Sequence, residues 1–477
     1  MGLAMTSTRM TRRVLVALSA GLLALGLPLA GAPALAQQAD VEDTVTDAAQ
    51  YPPADPAMVP GNPSSGSGDH SQFTHEVECI SPNGSLPTDL QQTPWGQMFL
   101  RIDEAQRYAT GVGQRVAVID TGVSVHPRLA GRVEGIGDYI ADANGLTDCD
   151  GHGTIVAGII AAAEDPVTGF TGVAPDAEIL SIRNVSHFYG PVDRLEEQAI
   201  QAGNLETMSR AIVLAADRGA TVINLSETAC VVATYPDDFY TAQLRAAINY
   251  AIERDIVVIA AAGNHNQDDP ACANSNTPNS LQNHTFPGVF PEVLTVGSIG
   301  GDGALSEFSV QGDWVDIVAP GEDIISLDPA AGATSLANQV ASPQGDLGPI
   351  EGTSFSAPYV AGVAALVRER YPDLSAEQVV NRLVRTAQHP GGLEGRSFGV
   401  GYGVLDPVAA LTEVLPEEHG IEPAAPEQAR NELPPMPPFD WTPTIVAVSG
   451  AGGGLVLLGI TLFIVRAVRH TRQGSEA

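Results

Sequence analysis

Val116-Ala117-Val118-Ile119-Asp120-Thr121-Gly122 sets four apolar residues in a row, then an acid, then a turn-forming glycine. No polar residue alternates within the run, so both of its faces must be buried, as in the central strands of a parallel sheet. Similar runs follow at 179–182, 222–225, 256–260, 293–296 and 315–318. Between them lie stretches with helical patterning, at 155–163, 205–218, 239–254, 357–370 and 376–386. The last of these opens with Ser375 and Gln378 in capping-box spacing. Strands alternating with helices predict an α/β fold over residues 95–415, a mostly parallel central sheet with helices on both faces. Aromatic residues make up only 5% of the chain, so Ala, Val, Ile and Leu must fill the core. No internal repeat is visible.

The segments outside 95–415 read as appendages. Arg9, Arg12 and Arg13 precede an apolar run from 14 to 29, and Ala34-Leu35-Ala36 offers a small-x-small cleavage site. Residues 1–36 are therefore expected to be a secretory signal peptide. Residues 37–94 hold stretches such as Gly61-Asn62-Pro63-Ser64-Ser65-Gly66-Ser67-Gly68, too poor in apolar surface to offset the entropy of ordering. They are expected to form a largely irregular N-terminal extension, pinned in its later part by Cys79. Residues 416–443 are rich in Pro and Glu and predict an extended spacer. Residues 445–465 carry no charge over 21 positions. As a helix they would span about 31 Å, the thickness of a bilayer core. Trp441 stands before this span, and Arg466, Arg469 and Arg472 follow it. Positive charge on that side puts residues 466–477 in the cytoplasm, while the signal peptide sends the large domain outside. Gly450 and Gly454 stand in small-xxx-small spacing, but glycine is common in membrane helices and the pair alone fixes nothing.

The formal net charge is -33, and all 23 basic residues are arginine. Such a chain is not built to hold a phosphate backbone, so no nucleic-acid partner is expected. Four cysteines, Cys79, Cys149, Cys230 and Cys272, imply two disulfides in an exported protein, with three connectivities open. No pair has metal-ligand spacing, and neither a metal nor a cofactor is expected.

Three short stretches carry chemistry. Asp120 ends the first apolar run, His152 lies in Asp150-Gly151-His152-Gly153-Thr154, and Ser354 lies in Gly352-Thr353-Ser354-Phe355-Ser356-Ala357-Pro358. A serine hydroxyl attacks a carbonyl only if a base takes its proton, and an imidazole can take that proton and return it to the leaving amine. A buried carboxylate fixes the imidazole tautomer and stabilises its charged form. The tetrahedral intermediate then needs donors for its oxyanion. Backbone N–H groups at the start of the Ser354 helix can supply one, and the amide of Asn264, in Ala261-Ala262-Gly263-Asn264, another. Each stretch alone is a common turn or cap. Together they stand in the order Asp, His, Ser, which is the order of subtilisin and not that of chymotrypsin or the α/β-hydrolases.

On these stretches the region 95–415 resembles the subtilisin-like peptidases. The resemblance implies a serine endopeptidase in which Asp120 orients His152, His152 is general base and acid, Ser354 is the nucleophile and Asn264 an oxyanion donor. It also implies that Ser226, Glu227 and Thr228 on one side, and Ala261, Ala262 and Gly263 on the other, bind an extended polypeptide substrate. The complete layout, with Pro94-Trp95 before the domain and Ile223-Asn224-Leu225-Ser226 followed by Cys230, is similar to the mycosins of type VII secretion systems. That narrower resemblance implies an extension that wraps the domain and a supporting role in a secretion membrane complex. A stand-alone surface subtilisin and a mainly structural secretion component are the rival expectations. Ordinary subtilisins continue Ser-x-Gly where this chain has Ser226-Glu227-Thr228, which argues for a narrow substrate range. Among the connectivities, the loop placements favour Cys79–Cys149, a tether from the extension to the His152 loop, and Cys230–Cys272, a brace across the cleft.

Overall fold

The structure, a computed structural model, describes residues 54–61, 73–80, 91–141, 144–191, 203–233, 239–265, 271–273, 275–341, 346–389, 395–420 and 442–473. The chain divides into Met1–Pro53 and Ala54–Ala477. The first unit lies outside the described residues, and with it the expected signal peptide; so do most of the expected spacer and the last residues of the tail.

The elements run in chain order as β1 (Phe73–His75), α1 (Trp95–Phe99), α2 (Ile102–Ala105), β2 (Arg115–Asp120), β3 (Val133–Asp138), α3 (His152–Ala161), β4 (Glu178–Arg183), β5 (Tyr189–Pro191), α4 (Leu205–Asp217), β6 (Val222–Leu225), β7 (Ala229–Val232), α5 (Phe239–Ile252), β8 (Val257–Ala261), β9 (Asn283–Phe286), β10 (Leu294–Ile299), β11 (Ile317–Pro320), α6 (Thr353–Arg370), α7 (Ala376–Arg385), α8 (Pro407–Thr412) and α9 (Thr442–Gln473). Seven strands form one sheet in the order β11-β10-β8-β6-β2-β4-β3. Every pairing within it is parallel. The middle strands β6, β8 and β10 are buried at every residue, which requires cover on both faces. Helices α3 and α6 pack on each other and on the sheet, and α4 and α5 form a second pair against it. Helix α6 is buried from Thr353 to Val367 and serves as the core helix.

The six apolar runs are all strands of this sheet. β3 escapes a reading from apolar runs because Val133-Glu134-Gly135-Ile136-Gly137-Asp138 is an edge strand interrupted by glycines, with a register shift between Gly135 and Gly137. Helices α3 and α6 start earlier than their hydrophobic patterns suggest, at His152 and Thr353, because their first turns are built from Gly, Thr and Ser. The Ser375–Gln378 capping box forms: Gln378 N–H donates to Ser375 Oγ at 3.2 Å and Ser375 N–H to Gln378 Oε1 at 2.9 Å.

The extension is less irregular than its composition suggests. β1 pairs antiparallel with β5, setting His75 opposite Tyr189, and a short 3-10 turn at Pro56–Met58 lies against α5. The cysteines are joined as Cys79–Cys149 and Cys230–Cys272. The first bond fastens the extension to the loop that precedes His152. At the other end of the chain, Ile445–Arg469 is a fully exposed apolar stretch of 25 residues in α9, long and apolar enough to cross a membrane.

Candidate active site

β2 ends on Asp120, which is fully buried. Asp120 Oδ1 accepts the Thr121 N–H at 2.8 Å and lies 2.7 Å from Nδ1 of His152. His152 is the first residue of α3. The helix begins tight against the β2 turn. A Cβ on Gly153 would lie 2.1 Å from the carbonyl oxygen of Gly122, so this approach needs glycine.

Asp148 ties the Asp120 turn to the His152 helix, and no sequence pattern of its own announces it beyond an acid four residues before the histidine. Its Oδ1 accepts from Thr121 Oγ1 at 2.8 Å and from Gly151 N–H at 2.7 Å. Its Oδ2 accepts from Thr154 N–H at 2.8 Å and from Thr154 Oγ1 at 2.6 Å. Burial raises this carboxyl to about 7, although the Thr154 donors pull it down.

Ser354 is the second residue of α6 and 8% exposed. Gly352 precedes the helix at φ 146°, and a Cβ there would lie 3.1 Å from Ser354 Oγ and 3.2 Å from Asn264 Nδ2. The hydroxyl and the amide therefore flank one small space, which a side chain at 352 would fill. The Asn264 amide has a fixed orientation, because its Oδ1 accepts both the N–H and the hydroxyl of Thr353 at 3.0 Å each. Its NH2 group is left for the Ser354 side. Phe355 brings α6 against the imidazole, with ring centroids 4.8 Å apart.

Pro358 lies inside α6 and has no N–H for the carbonyl of Ser354 one turn back. Ser226 replaces the missing donor: its hydroxyl reaches Ser354 O at 2.8 Å and in turn accepts from Asn224 Nδ2 at 2.8 Å. The segment after β6 is thereby fixed to the helix that carries Ser354.

The two expected walls differ. No described backbone group bonds to Glu227 or Thr228, so their N–H and C=O groups are open to an extended chain. On the other side Ala262 N–H is taken by Val296 O at 2.9 Å and Gly263 N–H by Thr353 Oγ1 at 3.1 Å. That stretch holds Asn264 in place, with both of these N–H groups spent inside the protein.

Glu227 adds a third acid. Its Oε1 lies 3.4 Å from His152 Nδ1, and a carboxylate oxygen of Asp120, a ring nitrogen of His152 and a carboxylate oxygen of Glu227 all lie within 4.8 Å of one another. Burial alone would lower the His152 pKa, but Asp120, Glu227 and Asp148 outweigh it and raise the imidazole to about 10. Burial raises the Glu227 carboxyl, His152 lowers it and Asp120 raises it again. His75, Cys79 and Cys149 also cluster, but both sulfurs are spent in the disulfide.

The arrangement holds a buried carboxylate on an imidazole, and the ring packs on Phe355, the residue after a helix-start serine whose hydroxyl shares a small space with an aimed amide; serine acyl transfer uses this set of groups. The Subtilase family profile matches residues 111–403. Mycosin-1 of Mycolicibacterium smegmatis is 42% identical over 416 residues, covering 82% of this chain and 88% of that protein. Mycosin-3 of Mycobacterium tuberculosis is 41% identical over 452 residues, covering 91% and 94%. The solved serine protease MycP1, an essential component of the type VII (ESX-1) secretion system, matches with a TM-score of 0.68 at 42% identity, over 76% of this chain and 99% of its own. A chain of an intact ESX-5 inner membrane complex matches with a TM-score of 0.70 at 38% identity, over 86% and 98%. The fold, the site and these relatives agree, and the chain belongs to the Subtilase family of serine peptidases, among the mycosins.

Proposed function

We propose that this chain is a membrane-anchored, extracytoplasmic serine endopeptidase of a type VII secretion system, with Asp120, His152 and Ser354 as its triad. The 2.7 Å contact between Asp120 Oδ1 and His152 Nδ1, on a ring packed against Phe355 next to Ser354 in the chain, carries the reading. With Nδ1–H held by Asp120, the other ring nitrogen is the basic one and takes the Ser354 proton as Oγ attacks the peptide carbonyl. The same nitrogen then protonates the leaving amine, and water repeats the steps in reverse on the acyl-enzyme. Asn264 Nδ2 and the backbone N–H groups at the start of α6 receive the oxyanion. Residues 226–228 supply the edge along which the substrate lies.

In the same reading residues 1–36 are a cleaved signal peptide, 37–94 an extension tethered through Cys79, 95–415 the peptidase domain, 416–443 a spacer, 445–465 the membrane span and 466–477 a cytoplasmic tail. The similarity to mycosins, and to a chain of the ESX-5 inner membrane complex, supports association with a type VII secretion complex. Ser354→Ala tests both halves. It is expected to lower peptide cleavage by several decades and to leave the protein folded and in the membrane; the size of the loss is borrowed from a subtilisin. Residual turnover within about tenfold of the parent would remove Ser354 from the role. Secretion measured in the same variant separates the peptidase role from support of the complex.

A further inference from the structure

We propose that Glu227 is the specificity-determining residue for a cationic side chain of the polypeptide substrate, and that His152 holds its place in the unliganded protein. This deepens the peptidase reading and rests on it. Glu227 sits where backbone N–H and C=O groups have no described partner, on the edge along which the proposed substrate lies. Its side chain is 22% exposed, and among the described residues it receives no hydrogen bond. The one ion pair it makes there is with His152 Nδ1 at 3.4 Å, and that N–H is already committed to Asp120 at 2.7 Å.

As an ion pair the contact is missing when the ring starts the reaction as a neutral base, and it returns only once the ring has taken the Ser354 proton. To act as a base His152 must be neutral, and Glu227 and Asp120 then face an uncharged ring. The charges acting most strongly on Glu227 are His152, Asp120 from the end of β2, His187 from the segment between β4 and β5, and Asp150 from the loop before α3. Asp148 faces the imidazole from that same loop. No arginine is among these groups, and His187 is itself turned to Asp150, with Nδ1 3.4 Å from Oδ1. The substrate edge is thus an anionic place whose cation is a catalytic group that must give up its charge. An arginine or lysine side chain of a bound peptide would supply the missing positive charge and donate the missing hydrogen bonds.

The test uses the full chain in detergent and randomised fluorogenic peptides in which one residue on the acyl side is either arginine or its neutral isostere citrulline. The ratio of kcat/KM between the two, measured within one enzyme, is the readout. The parent is expected to favour arginine at one position by about tenfold. Glu227→Gln should bring that ratio close to one, and Glu227→Asp should keep part of it. A parent ratio near one at every position, or a ratio unchanged in Glu227→Gln, would overturn the proposal while leaving the peptidase reading standing. Absence of all cleavage, or equal cleavage by Ser354→Ala, would instead overturn the peptidase reading.

Discussion

The hydrogen bond from Ser226 to the Ser354 carbonyl makes a sharp prediction because its cause is visible. Pro358 removes the helical donor to that carbonyl, and Ser226 stands in for it at 2.8 Å. Ser226 is 4% exposed and Asn224 fully buried. Ser226→Ala therefore strips two buried partners at once: the Ser354 carbonyl loses its donor and the Asn224 amide loses its acceptor. Leaving a buried polar group unsatisfied costs about 1–3 kcal/mol, so the expected loss for the two is roughly 2–6 kcal/mol. Pro358→Ala restores an N–H one turn after the carbonyl and should recover about 1 kcal/mol or more of that loss in the Ser226→Ala background. The conformational entropy that the proline withholds from the unfolded chain is common to both backgrounds and cancels in the cycle. Urea unfolding of the four proteins, followed by tryptophan fluorescence, measures the coupling. A coupling of zero would show that Ser226 does not replace the donor that Pro358 lacks.

Four other outcomes are expected. Asn264→Ala should lower kcat by about 3 kcal/mol in barrier, a figure borrowed from a subtilisin, with little change in KM; an effect on KM alone would take Asn264 out of the oxyanion role. The acidic limb of kcat/KM should lie above the ordinary imidazole value of 6.5, since His152 is raised to about 10, and Glu227→Gln should move it to lower pH by removing a negative charge; a limb that stays fixed would refute the contact. For the same group, the folded pKa exceeds the unfolded one, so its stabilising pairing is fully present below pH 6.5 and is lost as pH rises towards 10. Cys79→Ser should open the segment before residue 91 to added protease, because β1 is then held mainly by its short ladder to β5; an unchanged digestion pattern would argue that the ladder suffices.

The sheet was legible because its strands are buried on both faces, and burial on both faces writes an unbroken apolar run. The same logic explains the misses. Edge strand β3 and the β1–β5 ribbon owe their form to main-chain bonding, which any side chain can satisfy, so Val133-Glu134-Gly135 and Phe73-Thr74-His75 leave no apolar pattern. The helix starts at His152 and Thr353 lie ahead of the apolar patterns at 155 and 357, and the Gly-His-Gly-Thr and Gly-Thr-Ser stretches mark them instead. Asp120, His152, Ser354 and Asn264 were readable as residue types in an order. What the order does not contain is which acid faces which donor. Thr121 reaches Asp148, and Thr353 reaches Asn264, through hydrogen bonds between separate loops, and Glu227 was readable as an oddity on the substrate edge without its nearness to His152.

The polar groups of the site fall into two clamps that meet at the cleft. One joins Thr121, Asp148, Gly151 and Thr154, and it fixes the acid and the base relative to each other. The other joins Asn224, Ser226, Ser354, Thr353, Asn264 and Gly263, and it fixes the nucleophile relative to the oxyanion amide and the substrate edge. Beyond the β2–β6 pairing and the packing of α3 on α6, the His152 ring is met from the second side by the Phe355 ring and by the Glu227 carboxylate near Nδ1. The first is apolar and stays when charge moves; the second depends on the charge of His152. The substrate edge is thus joined to the nucleophile by a neutral hydrogen bond at Ser226 and to the base by an ion pair at the next residue. On the proposed assignment, a cationic side chain bound at Glu227 would change the charge around His152 and leave the Ser226–Ser354 hydrogen bond in place.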